Sequence, residues 1–298
     1  MKFDKRIWKT GALAVAVTIV FAIFISRAAE WTKGFNSEVV VFGQKTNTGG
    51  PACVTGPSAT EIIPHMPLGS FDKGLTKYTT IIQIVNYTNT AQSIVGSFYQ
   101  QDGTTLTGVL TAGATTINKG VLNSTDLPAG AILVISGGGT SDAGLIGWGK
   151  LQYCGSMTIS TFFELRDGRP NVNALYSRVG VAASAPNLQN FVIPRVREVA
   201  TGLDVGFAVV NTGSTAANLT VELKDATGAT VTGGSTTLVF GPGAQRAQLT
   251  KDLFPSVTEG TGRVYQYLKF TSQSASFAAV GLAFEGANQT SVPVDVLQ

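Results

Sequence analysis

Leu219, Val221 and Leu223 alternate with Thr220, Glu222 and Lys224, a period of two that gives an extended strand one buried and one wet face. The run ends in Lys224-Asp225-Ala226-Thr227-Gly228, a turn, and a new extended run begins at Thr230. Met157, Ile159 and Phe163 share a face in one segment, and Val280, Leu282 and Phe284 share one in another, which places each Phe inward and the Glu that follows it, Glu164 or Glu285, outward. The pattern predicts two closing hairpins, 145–153 with 157–165 and 261–271 with 275–285. Helical periodicity is nearly absent: only 124–127 and 250–254 fit a helical turn, each capped by Ser or Thr. Short strands separated by turns every 8 to 12 residues or so predict an all-β chain of antiparallel sandwiches.

The strand pattern occurs twice. Val85-Asn86 through Thr107-Gly108 recurs as Val210-Asn211 through Thr232-Gly233 at a constant offset of 125 residues, the distance from Asn86 to Asn211. Ala91 matches Ala216, Ile94 matches Leu219, Phe98 matches Leu223 and Gly103 matches Gly228. Ile63-Pro64 parallels Ile193-Pro194, Asp126-Leu127-Pro128 parallels Asp252-Leu253-Phe254-Pro255, and Phe163-Glu164 parallels Phe284-Glu285. The expected organisation is a leader or anchor at 1–29, a first module at 37–183 and a second at 188–298. The short Ala- and Pro-containing joint at 182–186 predicts a semi-rigid rod of two beads.

Residues 10–26 carry no charge and follow Lys2, Lys5, Arg6 and Lys9, the pattern of an export signal or a hydrophobic amino-terminal helix that anchors the chain. The small residues Ser26, Ala28 and Ala29 favour cleavage; uncleaved, 10–26 would be the only part in a membrane. Of 21 basic and 18 acidic residues, 1–29 hold five basic and one acidic, so the remainder is near neutral at about −1 and gives no support for nucleic-acid binding. Export permits a disulfide, and the only two cysteines, Cys53 and Cys154, are expected to pair; the alternative is two free buried thiols. No Cys-x-x-Cys pair points to redox catalysis.

The run Gly206-Phe207-Ala208-Val209-Val210-Asn211-Thr212-Gly213, followed by Leu219-Thr220-Val221-Glu222-Leu223 and Asp225 to Gly228, resembles immunoglobulin-like repeats of bacterial exported and cell-surface proteins. The resemblance covers roughly 60–298, with Asn86-Tyr87-Thr88 in the first copy where the second has Asn-Thr-Gly. It implies an exported spacer, adhesive or assembly module, and it carries no catalytic residue.

The residues themselves offer little chemistry. His65 is the only histidine, too few for a zinc site, and no Gly-x-Ser-x-Gly elbow accompanies it. Gly137-Gly138-Gly139 lacks the Lys-Ser/Thr ending of a phosphate loop. Asp126 and Asp252 read as caps, Glu164 and Glu285 as solvated strand positions, and no calcium loop is present. Asn86, Asn123, Asn218 and Asn288 begin sequons that arise by chance in a Thr-rich chain. No cofactor, metal or catalytic residue is expected. Tyr265 and Tyr267 share a strand face with Lys269, opposite Val264, Leu268 and Phe270, and with Trp148 are the candidate ligand contacts. Their partners would be proteins, cell-surface glycans or further copies of the chain. The expected function is thus a non-enzymatic exported structural, adhesive or assembly protein, with carbohydrate or peptide binding on the aromatic face as the alternative.

Overall fold

The computed structural model describes residues 58–138, 144–169, 171–172, 174–258, 260–274 and 276–297. The leader, the expected amino-terminal hydrophobic helix and Cys53 lie outside the described residues. What is described is all-β and antiparallel, in one compact unit.

The first repeat runs β1 (Ser58–Phe71), β2 (Thr76–Val85), β3 (Gln92–Gln100), β4 (Leu110–Ala112), β5 (Thr115–Ile117), β6 (Val121–Leu127), β7 (Ile132–Gly137), β8 (Leu145–Cys154), β9 (Thr158–Asp167) and β10 (Leu175–Ala182). The second runs β11 (Asn190–Glu198), β12 (Asp204–Asn211), β13 (Ala217–Lys224), β14 (Thr230–Phe240), β15 (Gln245–Leu249), β16 (Arg263–Thr271), β17 (Phe277–Glu285), β18 (Asn288–Val292) and β19 (Asp295–Val296). The strands pair in the order β6-β3-β8-β1 and β7-β2-β9-β10 in the first repeat, and β14-β13-β16-β11 and β15-β12-β17-β18 in the second. Every pairing in one copy thus has its counterpart in the other, so the duplication read from Val85-Asn86 and Val210-Asn211 extends to the whole topology. The strands β4 and β5 are an insertion at one edge of the first copy. Even the bridge from β1 to the joint, Ile62 to Ser184, recurs as Val192 to Asp295 between β11 and β19.

Each repeat closes a core between its two sheets, as a β-sandwich does. Ile63, Ile82, Ile84, Ile94, Phe98 and Leu151 meet in the first; Phe191, Val209, Leu219, Val221, Phe270 and Phe277 meet in the second. β1 serves both sheets of the first repeat: it pairs with β8 as far as Leu68, turns at Gly69 (φ 81°), and lays Gly69 to Phe71 against β2. The repeated Asn is a lock within each sandwich. Asn86 Nδ2 donates to the carbonyls of Thr90, Leu127 and Pro128, and Asn211 Nδ2 to those of Thr215 and Gly241; both side chains are fully buried. Their Oδ1 atoms accept from the backbone N–H two residues on, Thr88 and Gly213, closing the same Asx turn. A fully buried Asn86 is no glycan acceptor in the folded chain.

Several expectations are corrected. The two closing hairpins do not form. β8 and β9 lie in opposite sheets, as do β16 and β17, so each pair is an arch across the core. A sheet-switching turn and a hairpin turn use the same small residues, here Gly155 at φ 70°, and alternation cannot separate them. Residues 124–127 are strand rather than helical turn. The helical turn at Thr250–Leu253 does form, without a side-chain cap, because the Thr250 hydroxyl donates to the Val205 carbonyl instead. The Phe-Glu parallel is one residue out of register: Asp204 pairs with Phe284 where its counterpart Thr79 pairs with Glu164. Phe163 and Phe284 therefore point to opposite faces of their sheets, and Glu164 is buried rather than solvated.

The repeats are also not beads on a rod. All of β12 and the first six residues of β17 are buried, because the second repeat's sheet β15-β12-β17-β18 packs on both faces. One face meets its own partner sheet. On the other, Val210 and Ala278 meet Ile62 of β1 and Trp148 of β8, while Ala208, Val280 and Leu282 meet Phe163, Val179 and Val181 of β9 and β10. The uninterrupted apolar runs Val205 to Val210 and Phe277 to Leu282 are the cause, since only a strand covered on both sides lacks polar alternation.

Candidate functional site

The junction between the repeats accounts for Trp148. Its indole stacks on Tyr99 at 4.4 Å between ring centroids, and Nε1 donates to the carbonyl of Gly243 in the second repeat at 2.8 Å. Only 4% of the residue is exposed, so Trp148 is a structural seal and is not joined to Tyr265 and Tyr267 in one site. Gly103 and Gly243 approach so closely here that a Cβ on Gly103 would stand 2.8 Å from the Pro242 carbonyl oxygen. This near contact is why the Asp-Gly turn of the first repeat cannot carry a larger residue. Gln245 completes the junction: its N–H donates to the Gln101 carbonyl and its Nε2 to the Pro64 carbonyl.

His65 sits in the β1 irregularity between Ile63 and Met66, where Pro64 supplies no ladder N–H and the bulge redirects the next side chain toward the second repeat. The imidazole meets the edge of Phe163 at 5.5 Å and lines a cleft of about 330 Å³ with Phe207, Gln248, Asp252, Leu282 and Phe284. Burial lowers its pKa to about 4, so it is neutral at neutral pH. A neutral imidazole at a junction can accept or donate one hydrogen bond. Its neighbour is the Gln245 amide at 3.4 Å. Among the described residues, no group of three His, Cys, Asp or Glu side chains is placed to hold a metal ion.

Three charged clusters belong to the frame. Burial pushes Glu164 up, but hydrogen bonds from Arg166 and Arg178 more than reverse this and hold the carboxylate below its usual range. Asp167 is held far down by Arg169 and Tyr176, which bind its two oxygens. In the second repeat, Arg195 reaches through the core to Asp204 at 2.9 Å and to Gln266, and Arg197 shares Asp204. Sequence reasoning missed all three, because each joins residues whose strand positions alone look solvated.

Tyr265 and Tyr267 do share the outward face of β16, as their alternation predicts. Their cross-strand neighbours on β11 are Val196 and Pro194, and Lys269 lies opposite Val192. On the β13 side, Lys224 stands beside Tyr267 and Glu222 beside Lys269. The result is an open, flat patch of two phenols, two valines and a proline, bordered by the Glu222–Lys224 ion pair at 2.9 Å. Tyr265 is 60% exposed and Pro194 is exposed, while Tyr267, Val192 and Val196 are half-buried. A patch of this kind can mate with another flat surface or stack on a planar apolar one. Cys154 is buried at the end of β8, where Ser58 pairs with it in register; Cys53 lies outside the described residues.

No protein-family model matches the chain, and no curated protein sequence matches it. Solved structures give faint likenesses. A β-glucuronidase from glycoside hydrolase family 2 is 10% identical, with 87% of this chain covered against 26% of that one and a TM-score of 0.19. A lectin from Pleurotus ostreatus in complex with GalNAc is 9% identical over 89% of this chain and 84% of that one, with a TM-score of 0.16. The 7S globulin of Momordica charantia is 9% identical over 81% and 72%, with a TM-score of 0.18. Scores of this size assign neither fold nor function.

Proposed function

We propose that this chain is a non-enzymatic exported structural protein that works by contact through sheet faces, and that residues 1–29 direct its export. The observation that carries this reading is the pair of equivalent sheet faces. Around Ile62 and Trp148 the outer face of the β1 and β8 sheet is covered by the second repeat, whereas among the described residues no other sheet packs on the outer face of β11, β13 and β16, which keeps the aromatic and apolar residues of a contact surface. The relation to immunoglobulin-like repeats of bacterial surface proteins, and the Cys53–Cys154 disulfide, belong to the same proposal. Nitration with tetranitromethane tests it: Tyr265 should react in the purified chain and be protected in the cell-surface material from which the chain is extracted. Equal reactivity in both states would defeat the reading.

Carbohydrate binding on the same patch is the second reading, favoured by the flat exposure of Tyr265. A glycan array probed with the wild-type chain and with Tyr265→Ala and Tyr267→Ala decides it. A ligand lost in both variants supports binding, and the absence of any glycan ligand removes it.

A further inference from the structure

The contact reading above leaves the partner open, and the internal junction identifies one. Lys150 pairs with Ile62 and Ser97, and Lys269 pairs with Val192 and Glu222; Tyr99 pairs with Trp148, and Lys224 with Tyr267. At the repeat offset, Val192, Tyr267 and Lys269 therefore occupy the places of Ile62, Trp148 and Lys150. In the first repeat Ile62 is 0% and Trp148 4% exposed, because Val210 and Ala278 of the neighbouring sheet cover them. In the second repeat, among the described residues, nothing covers their counterparts.

The other half of the junction is also present in a copy on which, among the described residues, no other sheet packs. The outer face of β2, β7 and β9 carries Val85, Val134 and Phe162, in register with Val210, Ala247 and Leu282 of the buried face. Ile81 and the exposed Ile132 extend this band. The charged residues Lys77, Glu164, Arg166 and Arg178 cluster at the opposite end of the same strands, at the rim of such a contact.

We infer that a second copy of this chain docks head to tail, with the outer face of β2, β7 and β9 of one copy on the outer face of β11, β13 and β16 of the next, repeating the part of the internal junction built on Ile62 and Trp148. The two surfaces differ, so the contact is heterologous and leaves a free face at each end of any pair. Association then continues into a linear polymer rather than stopping at a dimer. Gln83, Thr158 and Ser160 stand where the internal junction has Ala208, Ala278 and Val280. The contact between copies is accordingly wetter than the internal one, and the polymer forms and dissolves with concentration.

The test uses sedimentation velocity and light scattering on the chain as exported. Wild-type mass should rise past that of a dimer with concentration. Tyr267→Glu and Phe162→Glu should each abolish assembly alone, and an equimolar mixture should form a dimer and nothing larger, because each variant retains the face the other has lost. Circular dichroism confirms folding, and Tyr265→Glu with Val134→Glu is the replacement pair if either first variant fails to fold. A monomeric wild type, a monomeric mixture, or a Phe162→Glu variant that still dimerises through its intact aromatic face overturns the inference. A monomeric wild type whose Tyr265 is nevertheless protected in the surface material refutes head-to-tail stacking and leaves the contact reading standing; without that protection, both fall.

Discussion

Replacing Asn211 measures how much one buried amide holds the second repeat. Its Nδ2 donates to the carbonyls of Thr215 at 2.8 Å and Gly241 at 3.0 Å, and its Oδ1 accepts from the Gly213 N–H at 3.0 Å and the Ser276 hydroxyl at 3.1 Å. The side chain has no solvent exposure, so no water takes its place without a cavity opening. Each hydrogen bond is worth about 1 kcal/mol net, and a buried partner left unsatisfied costs about 1–3 kcal/mol. Thr215 is exposed and Gly213 half-exposed, and both recover part of this from solvent. Asn211→Ala should therefore cost about 3 kcal/mol, or about 6–12 °C in melting temperature for a unit of this size. Asn211→Asp is the sharper variant. It is nearly isosteric but turns two donors into an acceptor facing two carbonyls, and it buries an unpaired charge, for a loss of about 3–5 kcal/mol. Chemical denaturation followed by tryptophan fluorescence reads both. An Asp variant as stable as the wild type would show that the side chain does not hold the sandwich, and an Asp variant better tolerated than Ala would show the amide orientation to be reversed.

Other outcomes follow from the junction and from the charged groups. Trp148→Ala removes the Tyr99 stack and the bond to Gly243; it should destabilise by about 3–5 kcal/mol and expose the 183–190 joint to limited proteolysis. His65 has a folded pKa near 4 against about 6.5 unfolded, so the unfolded chain binds the proton first and stability falls as pH drops from about 6.5 to about 4. Melting curves across that window should flatten in His65→Gln, and an unchanged slope would refute the assignment. Glu164 and Asp167 are both held below the ordinary carboxylate range, so their contribution is present above it and is lost as pH falls through their lowered values. Glu164→Gln should thus melt lower than the wild type at neutral pH, with the gap closing in acid. The Cys53–Cys154 link would close a loop of about 100 residues, and reduction should lower stability by about 2–5 kcal/mol; intact mass unchanged by reductant would exclude the bond.

The readable part of the fold was what alternation and repetition report directly. Leu219, Val221 and Leu223 do face the core, and the Val-Asn repeat does mark one duplicated topology. The junction was visible in principle: the runs Val205 to Val210 and Phe277 to Leu282 have no wet face. What alternation cannot report is which strand lies beside which, so arches were read as hairpins. Nor can it report a partner 14 positions away, as Arg178 is from Glu164. The one-residue slip between Phe163 and Phe284 shows the limit most clearly: two identical dipeptides in equivalent strands carry their rings to opposite sides.

Because β12 and β17 serve as a party wall between two interiors, neither half can lose its order privately. Heating should yield a single cooperative transition by calorimetry, and chains cut within the joint should be recovered as sticky fragments that reassemble, since each would expose a surface meant never to meet water.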